Sequence, residues 1–184
     1  MISLSCSANA QFIGINVDYG IDYSAAPGKV DGYSVGISHP APFIPNIGYS
    51  AVSFKDKETI TDSSHTVSLE TTTTIKTINL FYNVPFPVVT ITVGFGYGAD
   101  NLYTGVETIT TIDQVESNLE TSVSEAFFHI GLPFWNTIEF HLGYHFMSFS
   151  SIDITKSDKF QGKYPTVKKS YSGGMTTIGV QVAF

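Results

Sequence analysis

Residues 13–23 read IGINVDYGIDY, and every second side chain of this stretch, from Ile13 to Tyr23, is apolar or aromatic. The residues between them are Gly, Asn and Asp. Because successive side chains of a β-strand point to opposite faces, the stretch predicts a strand with one apolar face and one polar face. From Gln11 onward the pattern lasts about a dozen residues, which exceeds an average soluble strand and is about what a tilted strand needs to cross a bilayer.

The composition limits what such strands can form. The chain has 184 residues, which is enough for one domain and too few for two of ordinary size. Its net charge is −7 and all nine basic residues are Lys, so the Arg side chains that often grip phosphates and bases are absent and nucleic acid is not an expected partner. No run of about 18 apolar residues could form a membrane helix. A membrane crossing would therefore use strands.

Three proline turns repeat along the chain, with the sequences HPAPFIPN at Pro42, NVPFPV at Pro85 and GLPFWN at Pro133. Counting back from each of these prolines, the first, third, fifth and seventh residues are apolar or aromatic in eleven of twelve cases, and His39 is the exception. The shared register predicts three strands that present the same face at the same depth. Each turn is followed by another alternating segment, which predicts three returning strands.

With the first and last alternating segments, the turns predict eight strands, at residues 11–24, 31–41, 46–56, 67–84, 88–98, 121–132, 137–148 and 171–184. Three tight turns lie at one end of these strands, and four longer polar connections lie at the other, at residues 25–30, 57–66, 99–120 and 149–170. A closed barrel leaves no strand edge in hydrocarbon, where each unpaired amide would cost several kcal/mol. We therefore predict an all-β fold, an eight-stranded antiparallel up-and-down transmembrane β-barrel, over residues 11–184.

A soluble eight-stranded barrel would have the opposite orientation, with its apolar face around a ligand and its polar face in water. The polar face of this chain is rich in Gly, Ser, Thr and Asn, which are small enough for a narrow hydrated lumen. The apolar face carries aromatic residues near the strand ends, as in the girdles of membrane barrels: Tyr19, Tyr23, Tyr33, Tyr82, Tyr97 and Tyr144. These features favour apolar side chains that face lipid.

Residues 1–10 end in Ala8-Asn9-Ala10, a small-x-small pattern that is typical of signal-peptide cleavage sites. We interpret residues 1–10 as a residual signal peptide segment and Gln11 as the first residue of the mature barrel. The one cysteine, Cys6, lies in this segment, so no disulfide is expected after cleavage.

The last eight residues, TIGVQVAF, alternate between the two faces and end in an aromatic side chain. They resemble the C-terminal sorting signal of outer-membrane barrel proteins at Thr177, Gly179, Val182 and Phe184, which implies that a barrel-assembly machinery recognises the last strand. With its eight strands, the chain resembles the small OmpX/OmpW-type bacterial outer-membrane barrels over residues 11–184, although it has no Arg for the internal salt bridges of some of them. The resemblance implies contact with outer-membrane lipid, both termini in the periplasm and long connections outside the cell.

A polar cluster is predicted inside the barrel. Six ionisable residues share the lumen face by strand parity: Asp18 on the first strand, Glu125 and His129 on the sixth, and Glu139, His141 and His145 on the seventh. The register of the last hairpin would set His129 beside Glu139 or His141, within hydrogen-bonding distance. We expect the cluster to be a hydrogen-bonded plug, because side chains nearly fill a barrel of this size.

No catalytic, cofactor or metal site is predicted. His141 and His145 are four strand residues apart, about 13 Å at ~3.3 Å per residue, which is too far to share one ion. His129 with His141 or Glu139 could share one but would form an incomplete site. An acyl hydrolase needs a serine, a histidine and an acid in contact. His39 is the one histidine predicted to face lipid, and the serine-rich segment after the seventh strand lies at the opposite rim.

We predict a non-enzymatic outer-membrane barrel that presents extracellular loops and acts as a surface or accessory subunit of an outer-membrane complex. Residues 99–120 and 149–170 are long enough to contact a protein partner. Residues 113–125 are predicted to form either a short helix or a continued strand hairpin. The alternative function is a small ion or hydrophobic-solute channel, and the third is a lipid A-modifying enzyme.

Overall fold

The structure is a computed structural model that describes residues 13–25, 30–41, 43–61, 66–98, 105–110, 116–135, 137–153 and 168–184. The signal peptide segment predicted at residues 1–10 lies outside the described residues. The described residues form twelve strands, numbered in chain order: β1 Gly14–Tyr23, β2 Val30–Ser38, β3 Asn46–Thr61, β4 Thr66–Pro85, β5 Thr90–Gly98, β6 Gly105–Thr110, β7 Glu116–Glu120, β8 Val123–Trp135, β9 Ile138–Phe149, β10 Ile152–Asp153, β11 Lys168–Lys169 and β12 Gly173–Ala183.

Eight of these strands form the wall of a closed antiparallel barrel, in the order β1, β2, β3, β4, β5, β8, β9 and β12. The barrel closes where β12 pairs with β1, from Gly14 opposite Ala183 to Tyr23 opposite Met175. The eight wall strands correspond one by one to the eight predicted strands, so the predicted fold is confirmed. In the part of the chain that the structure describes, no helix has the length and apolar character needed to cross a membrane.

The apolar faces of the wall strands point outward. Along β1, Ile15, Val17 and Tyr19 are about half exposed, whereas Asn16 and Asp18 between them are buried. The same alternation recurs on the other wall strands, where exposed Ile, Leu, Val and Phe side chains cover the outer surface. The predicted orientation is therefore confirmed, and the opposite orientation of a soluble ligand-binding barrel is not found.

Tyr23 is an exception to the predicted aromatic girdle. The pairing of β1 with β12 shifts register between Gly20 and Asp22, which is the mark of a β-bulge. The extra residue reverses the alternation, so Tyr23 points into the barrel and is fully buried, while Ile21 and Asp22 are both exposed. The prediction that Tyr23 faces lipid is wrong for this reason.

β3 and β4 extend past their neighbours at the end opposite the proline turns, which we call the loop end. They pair with each other as far as Thr61 opposite Thr66, so most of the connection predicted at residues 57–66 is strand. β6 pairs with residues 69–74 of β4, and β7 pairs with β6. Of the two alternatives for residues 113–125, strand is found at residues 116–120 and 123–125, and residues 113–115 lie outside the described residues. We call residues 55–61 and 66–74 together with β6 and β7 the loop-end sheet.

Large apolar side chains fill the loop end of the lumen. We call this group the apolar plug, and its members are Tyr23, Val52, Phe54, Ile75, Val123, Met147, Phe149, Tyr171 and Met175. None of the nine is more than 6% exposed. The small polar lining predicted from the sequence therefore lies mainly below the plug, toward the end that carries the proline turns, although Thr73, opposite Phe54, is a buried polar residue at the level of the plug.

Candidate functional site

The six ionisable residues predicted for the lumen all lie on inward-facing positions of three wall strands. We call them the polar network: Asp18 on β1, Glu125 and His129 on β8, and Glu139, His141 and His145 on β9. Five of them are buried, and Glu139 is only partly buried because it lies near the turn end of the barrel. The network thus occupies the middle of the lumen and continues to the turn end, below the apolar plug.

The part of the network next to the apolar plug is a series of hydrogen bonds that runs from β4 to β8, on to β9 and back to β8. Thr77 donates its hydroxyl hydrogen to Oε2 of Glu125 over 2.5 Å, and Oε1 of Glu125 lies 2.5 Å from Nδ1 of His145. The Nε2 atoms of His145 and His129 are 3.0 Å apart. Phe127 stacks on the His145 ring with a centroid distance of 4.9 Å, so one face of this series is apolar. Buried in this way, each member is held by a specific partner.

His129 reaches both β9 histidines because the residue opposite it is Gly143. A Cβ atom on Gly143 would overlap the His129 ring and the Thr177 hydroxyl, so the lack of a side chain there creates the space. The rings of His129 and His141 stack with centroids 5.3 Å apart. His129 therefore lies beside His141, but it contacts this residue by ring stacking, and its hydrogen-bond contact is with His145. Glu139 lies opposite Pro133.

Asp18 joins the network across a second glycine. Gly179 of β12 pairs with Asp18 on one side and with His141 on the other, so the three residues form one row across three strands. A Cβ atom on Gly179 would overlap both neighbours, and without it Oδ1 of Asp18 approaches Nε2 of His141 to 2.6 Å. Asn16 donates to the other oxygen of Asp18 over 3.4 Å.

The turn end of the network is polar and more open. Oε2 of Glu139 accepts a hydrogen bond of 2.6 Å from the Thr90 hydroxyl, and Oε1 lies 4.0 Å from Nδ1 of His141. Asn83 donates to Gln181 over 3.3 Å at the same level. The Glu139 side chain is 13% exposed and the His141 side chain 4% exposed, so exposure falls from the turn end toward the centre.

One group of residues in the network has the geometry to hold a metal ion. Single ligand atoms of Asp18, His129 and His141 all lie within 4.8 Å of one another, and all three residues are buried. From the sequence, His129 was expected to share an ion with either His141 or Glu139 in an incomplete site, and the structure adds Asp18 from β1 to His129 and His141.

Other predicted residues lie outside the network or at its edge. Of the assembly signal predicted at the end of the chain, Thr177 is buried in the lumen, Val182 is partly exposed and Phe184 is exposed, while its recognition by an assembly machinery stays a prediction. His39 contacts the backbone of its own turn, through a 3.2 Å bond from the Ala41 amide to Nδ1 and a 3.3 Å contact of Nε2 with the Pro45 carbonyl.

The two threonines that bond to the network carboxylates were not predicted from the sequence. Thr77 on β4 reaches Glu125 on β8 although β5 lies between them, and Thr90 on β5 reaches Glu139 on β9 across β8. Pairing of adjacent strands does not predict such contacts. The available signal was the series of inward glycines, since each marks a place where side chains of the flanking strands can meet.

No protein-family model matches the chain, and no curated protein has a significant match. Among solved structures, it is similar to Neisserial surface protein A, with a TM-score of 0.51, 12% identity and coverage of 94% of this chain and 96% of that chain. It is also similar to the N-terminal β-barrel domain of Pseudomonas aeruginosa OprF, with a TM-score of 0.52, 11% identity and coverage of 95% and 98%.

A major outer membrane protein from Thermus thermophilus gives a TM-score of 0.50 at 10% identity, over 94% of this chain and 98% of that chain. At these identities the likeness shows the fold, which is that of the small bacterial outer-membrane β-barrels, as the sequence predicted. The narrower resemblance to the OmpX/OmpW type stays a prediction.

Proposed function

We propose that the chain is a closed, non-enzymatic barrel of the bacterial outer membrane that acts through its loop-end sheet, as a surface or accessory subunit of an outer-membrane complex. The observation that carries the proposal is the apolar plug, which fills the loop end of the lumen. We therefore place the function on the external surfaces, and the loop-end sheet extends beyond the barrel wall as such a surface.

The outer surface supports a location in lipid. Each wall strand places a large apolar side chain at an outward-facing position in its middle section: Val17, Val35, Tyr49, Leu80, Val93, Phe128, Leu142 and Val180. Soluble monomers rarely expose contiguous apolar areas of this extent. In hydrocarbon the same side chains are favourable, and the closed ladder satisfies the backbone groups of the wall.

The interior supports a closed barrel. The apolar plug fills the lumen at the loop end, and Tyr23, Ile75 and Met175 within it are at most 1% exposed. Immediately below, Glu125 and His145 are also inaccessible to water. Eight strands enclose little more than the volume of their own side chains, so a wide aqueous pore is not expected.

The loop-end sheet supports a role in protein contacts. Within the described residues, β7 pairs only with β6, so its other edge presents backbone groups that no strand satisfies. Edge strands of this kind bind partner segments by strand addition. We propose a protein partner at this edge, outer-membrane lipid around the barrel, and a barrel-assembly machinery that recognises the C-terminal strand during insertion.

Cysteine labelling tests the location and the orientation. In a Cys6→Ser chain, Ser151→Cys lies at the loop end and Thr137→Cys lies at the turn end as its matched control. We expect a membrane-impermeant maleimide to label Ser151→Cys on intact cells and Thr137→Cys only after the outer membrane is permeabilised. The reverse pattern would contradict the proposed orientation, and a folded chain in the soluble fraction would contradict the membrane location.

Planar bilayer recording tests the closed lumen. We expect the purified chain, shown to be folded by its heat-modifiable migration on a gel, to insert without discrete channel openings. Openings that disappear when Glu139 or His141 is replaced would place the ion path in the polar network. That result would overturn the closed barrel in favour of a channel.

Deletion of the hairpin tests the partner. Residues 105–120 contain β6 and β7, and a short Gly-Ser turn can replace them without removing a wall strand. We expect chemically cross-linked partners to be lost from this variant and retained when residues 154–166 are shortened instead. Equal recovery from the two variants would show that the β6–β7 hairpin is not the contact surface.

A further inference from the structure

Three metal-ligating side chains meet in the middle of the lumen. Oδ1 of Asp18 lies 2.6 Å from Nε2 of His141 and 3.9 Å from Nδ1 of His129. The ligands come from β1, β8 and β9, so the closed barrel holds them together. Two imidazoles with one carboxylate suit Zn²⁺ and similar divalent transition metals, whereas Ca²⁺ and Mg²⁺ prefer sites built from oxygen ligands.

His129 faces this cluster with its Nδ1 atom. Its Nε2 atom contacts Nε2 of His145, whose Nδ1 atom lies 2.5 Å from Oε1 of Glu125. The other ring nitrogen of His129, Nδ1, lies 3.9 Å from Oδ1 of Asp18. Nδ1 is therefore the atom with which His129 would bind an ion shared with Asp18.

Two of the ligand atoms depend on each other. Oδ1 of Asp18 and Nε2 of His141 are 2.6 Å apart, and apart from this contact neither has a hydrogen-bond partner among the described residues, although the two side chains are only 0% and 4% exposed. Buried polar atoms with so few partners call for an explanation. Ligand atoms around a tetrahedral Zn²⁺ are about 3.3 Å apart, given bonds of about 2.0–2.1 Å, so the Asp18–His141 pair would need to open by only about 0.7 Å.

The second ring nitrogen of each histidine ligand, the one that would not bind the ion, faces a residue that leads to a carboxylate. Nδ1 of His141 faces Glu139 at 4.0 Å, and Nε2 of His129 contacts His145, which is held by Glu125. Metal-bound histidines usually place the second ring nitrogen against a carboxylate, a carbonyl or water, which sets the tautomer and raises the basicity of the ligand. This arrangement also gives His145 a role, since it lies too far along β9 to be a ligand beside His141.

Ions can approach the cluster from the turn end. The apolar plug closes the loop end, whereas exposure rises from Asp18 to His141 and then to Glu139 at the turn end. Glu139 is negatively charged when ionised, so it would attract cations toward the cluster.

The geometry points to a binding site for one divalent transition-metal ion, Zn²⁺ or a chemically similar ion, held by Asp18, His129 and His141 with water in the fourth position. No metal was predicted from the sequence, because only ligands from β8 and β9 were combined. The site is independent of the proposed surface function, because none of its residues belongs to the loop-end sheet.

Calorimetric titration of Zn²⁺ into the untagged, chelator-treated Cys6→Ser chain tests the site. We expect one ion per chain. Asp18→Asn and His141→Asn should each lower the affinity for Zn²⁺ by at least about 100-fold, because the loss of a ligand should cost at least as much as the loss of a residue that only hydrogen-bonds to a ligand. Glu125→Gln, which changes such a partner, should lose about 10- to 100-fold. Asp22→Asn is the matched control, since Asp22 is an exposed carboxylate on the same strand, and it should bind as the parent does.

Co²⁺ absorption gives a readout that does not depend on any variant. A tetrahedral site with two imidazoles and a carboxylate should give intense visible bands when Co²⁺ is added, and Zn²⁺ should remove them by displacement. Folding of each variant is checked by heat-modifiable migration before titration. Absence of both Zn²⁺ heat and Co²⁺ bands in the folded parent would overturn the proposal, and so would unchanged affinity in folded Asp18→Asn.

Discussion

The apolar plug and the polar network occupy the same lumen, and several wall strands contribute to both. β8 supplies Val123 to the plug and Glu125 to the network, and β9 supplies Met147 to the plug and His145 to the network. The plug excludes water by packing, so its stability follows the apolar area that it buries. The stability of the network depends instead on whether individual buried polar atoms have partners, because an unpaired one is costly. Substitutions should therefore affect the two regions by different mechanisms.

The largest effect is expected at the centre of the polar network. Glu125→Ala removes the acceptor of both Thr77 and His145 from a site that water does not reach. Each buried donor that loses its acceptor typically costs about 1–3 kcal/mol, so the loss of both comes to about 2–6 kcal/mol. We expect the free energy of unfolding to fall by that amount in reversible urea unfolding from lipid vesicles.

Glu139→Ala is the control for Glu125→Ala. It removes the same side chain from the partly exposed turn end, where water can replace the lost partner. Its cost should be clearly smaller. Equal losses in the two variants would show that burial does not distinguish the two carboxylates.

Removal of a plug side chain should have the next largest effect. Ile75 is 1% exposed in the plug, so Ile75→Ala loses apolar burial and leaves a cavity, which typically costs about 2–5 kcal/mol. Ile78→Ala on the same strand changes an outward side chain that is 46% exposed and leaves no internal cavity. A larger loss of unfolding free energy in Ile78→Ala than in Ile75→Ala would contradict the plug as the main packed core.

A smaller effect is expected where the barrel wall meets the stacked rings. A Cβ atom on Gly94 would overlap the Phe127 ring, which stacks on His145. We expect Gly94→Ala to cost about 1–3 kcal/mol through overpacking. In Gly32→Ala the new Cβ would lie 3.3 Å from Val52, so a shift of a few tenths of an ångström accommodates it. If thermal unfolding shows Gly32→Ala to be the more damaging change, the close contact of Gly94 with Phe127 is not a constraint on the fold.

The smallest effect is expected for the hydrogen bond inside the plug. The Tyr23 hydroxyl donates to the carbonyl oxygen of Tyr171, and Tyr23→Phe removes this bond while it keeps the packing ring. The expected cost is about 0.5–1.5 kcal/mol. Tyr19→Phe, on the outward face of β1, should be nearly neutral. A loss in Tyr23→Phe as large as that in Ile75→Ala would mean that the plug depends on specific polar contacts as the network does.

The fold and the composition of the network could be predicted because both follow from strand parity. An alternating segment has its two faces whatever lies beside it, so Asp18, His129 and His141 were assigned to the lumen before any pairing was known. The repeated proline turns set the depth of the strands in the same way. Parity fails where a bulge adds a residue, and Tyr23 was therefore assigned to the wrong face.

The partners within the network could not be predicted, because they depend on register and on strands that are distant in sequence. Asp18 meets His141 over Gly179 only because β12 closes the barrel between β1 and β9. Thr77 meets Glu125 across an intervening strand for a similar reason. The apolar plug was missed because its members are scattered inward residues near strand ends, and no single segment contains enough of them to form a pattern.

The sequence by itself determined an eight-stranded barrel with lipid-compatible outer faces, since alternation and turn spacing are local properties that each segment carries alone. Only the tertiary structure decided that the lumen is apolar at one end and that Asp18, His129 and His141 converge in its middle. Those features arise when closure brings distant strands to within about 5 Å of each other and inward glycines let their side chains meet. The physical reason is that the face to which a side chain points is set within its own strand. The distance between two side chains on different strands is set by how all eight strands pair and close.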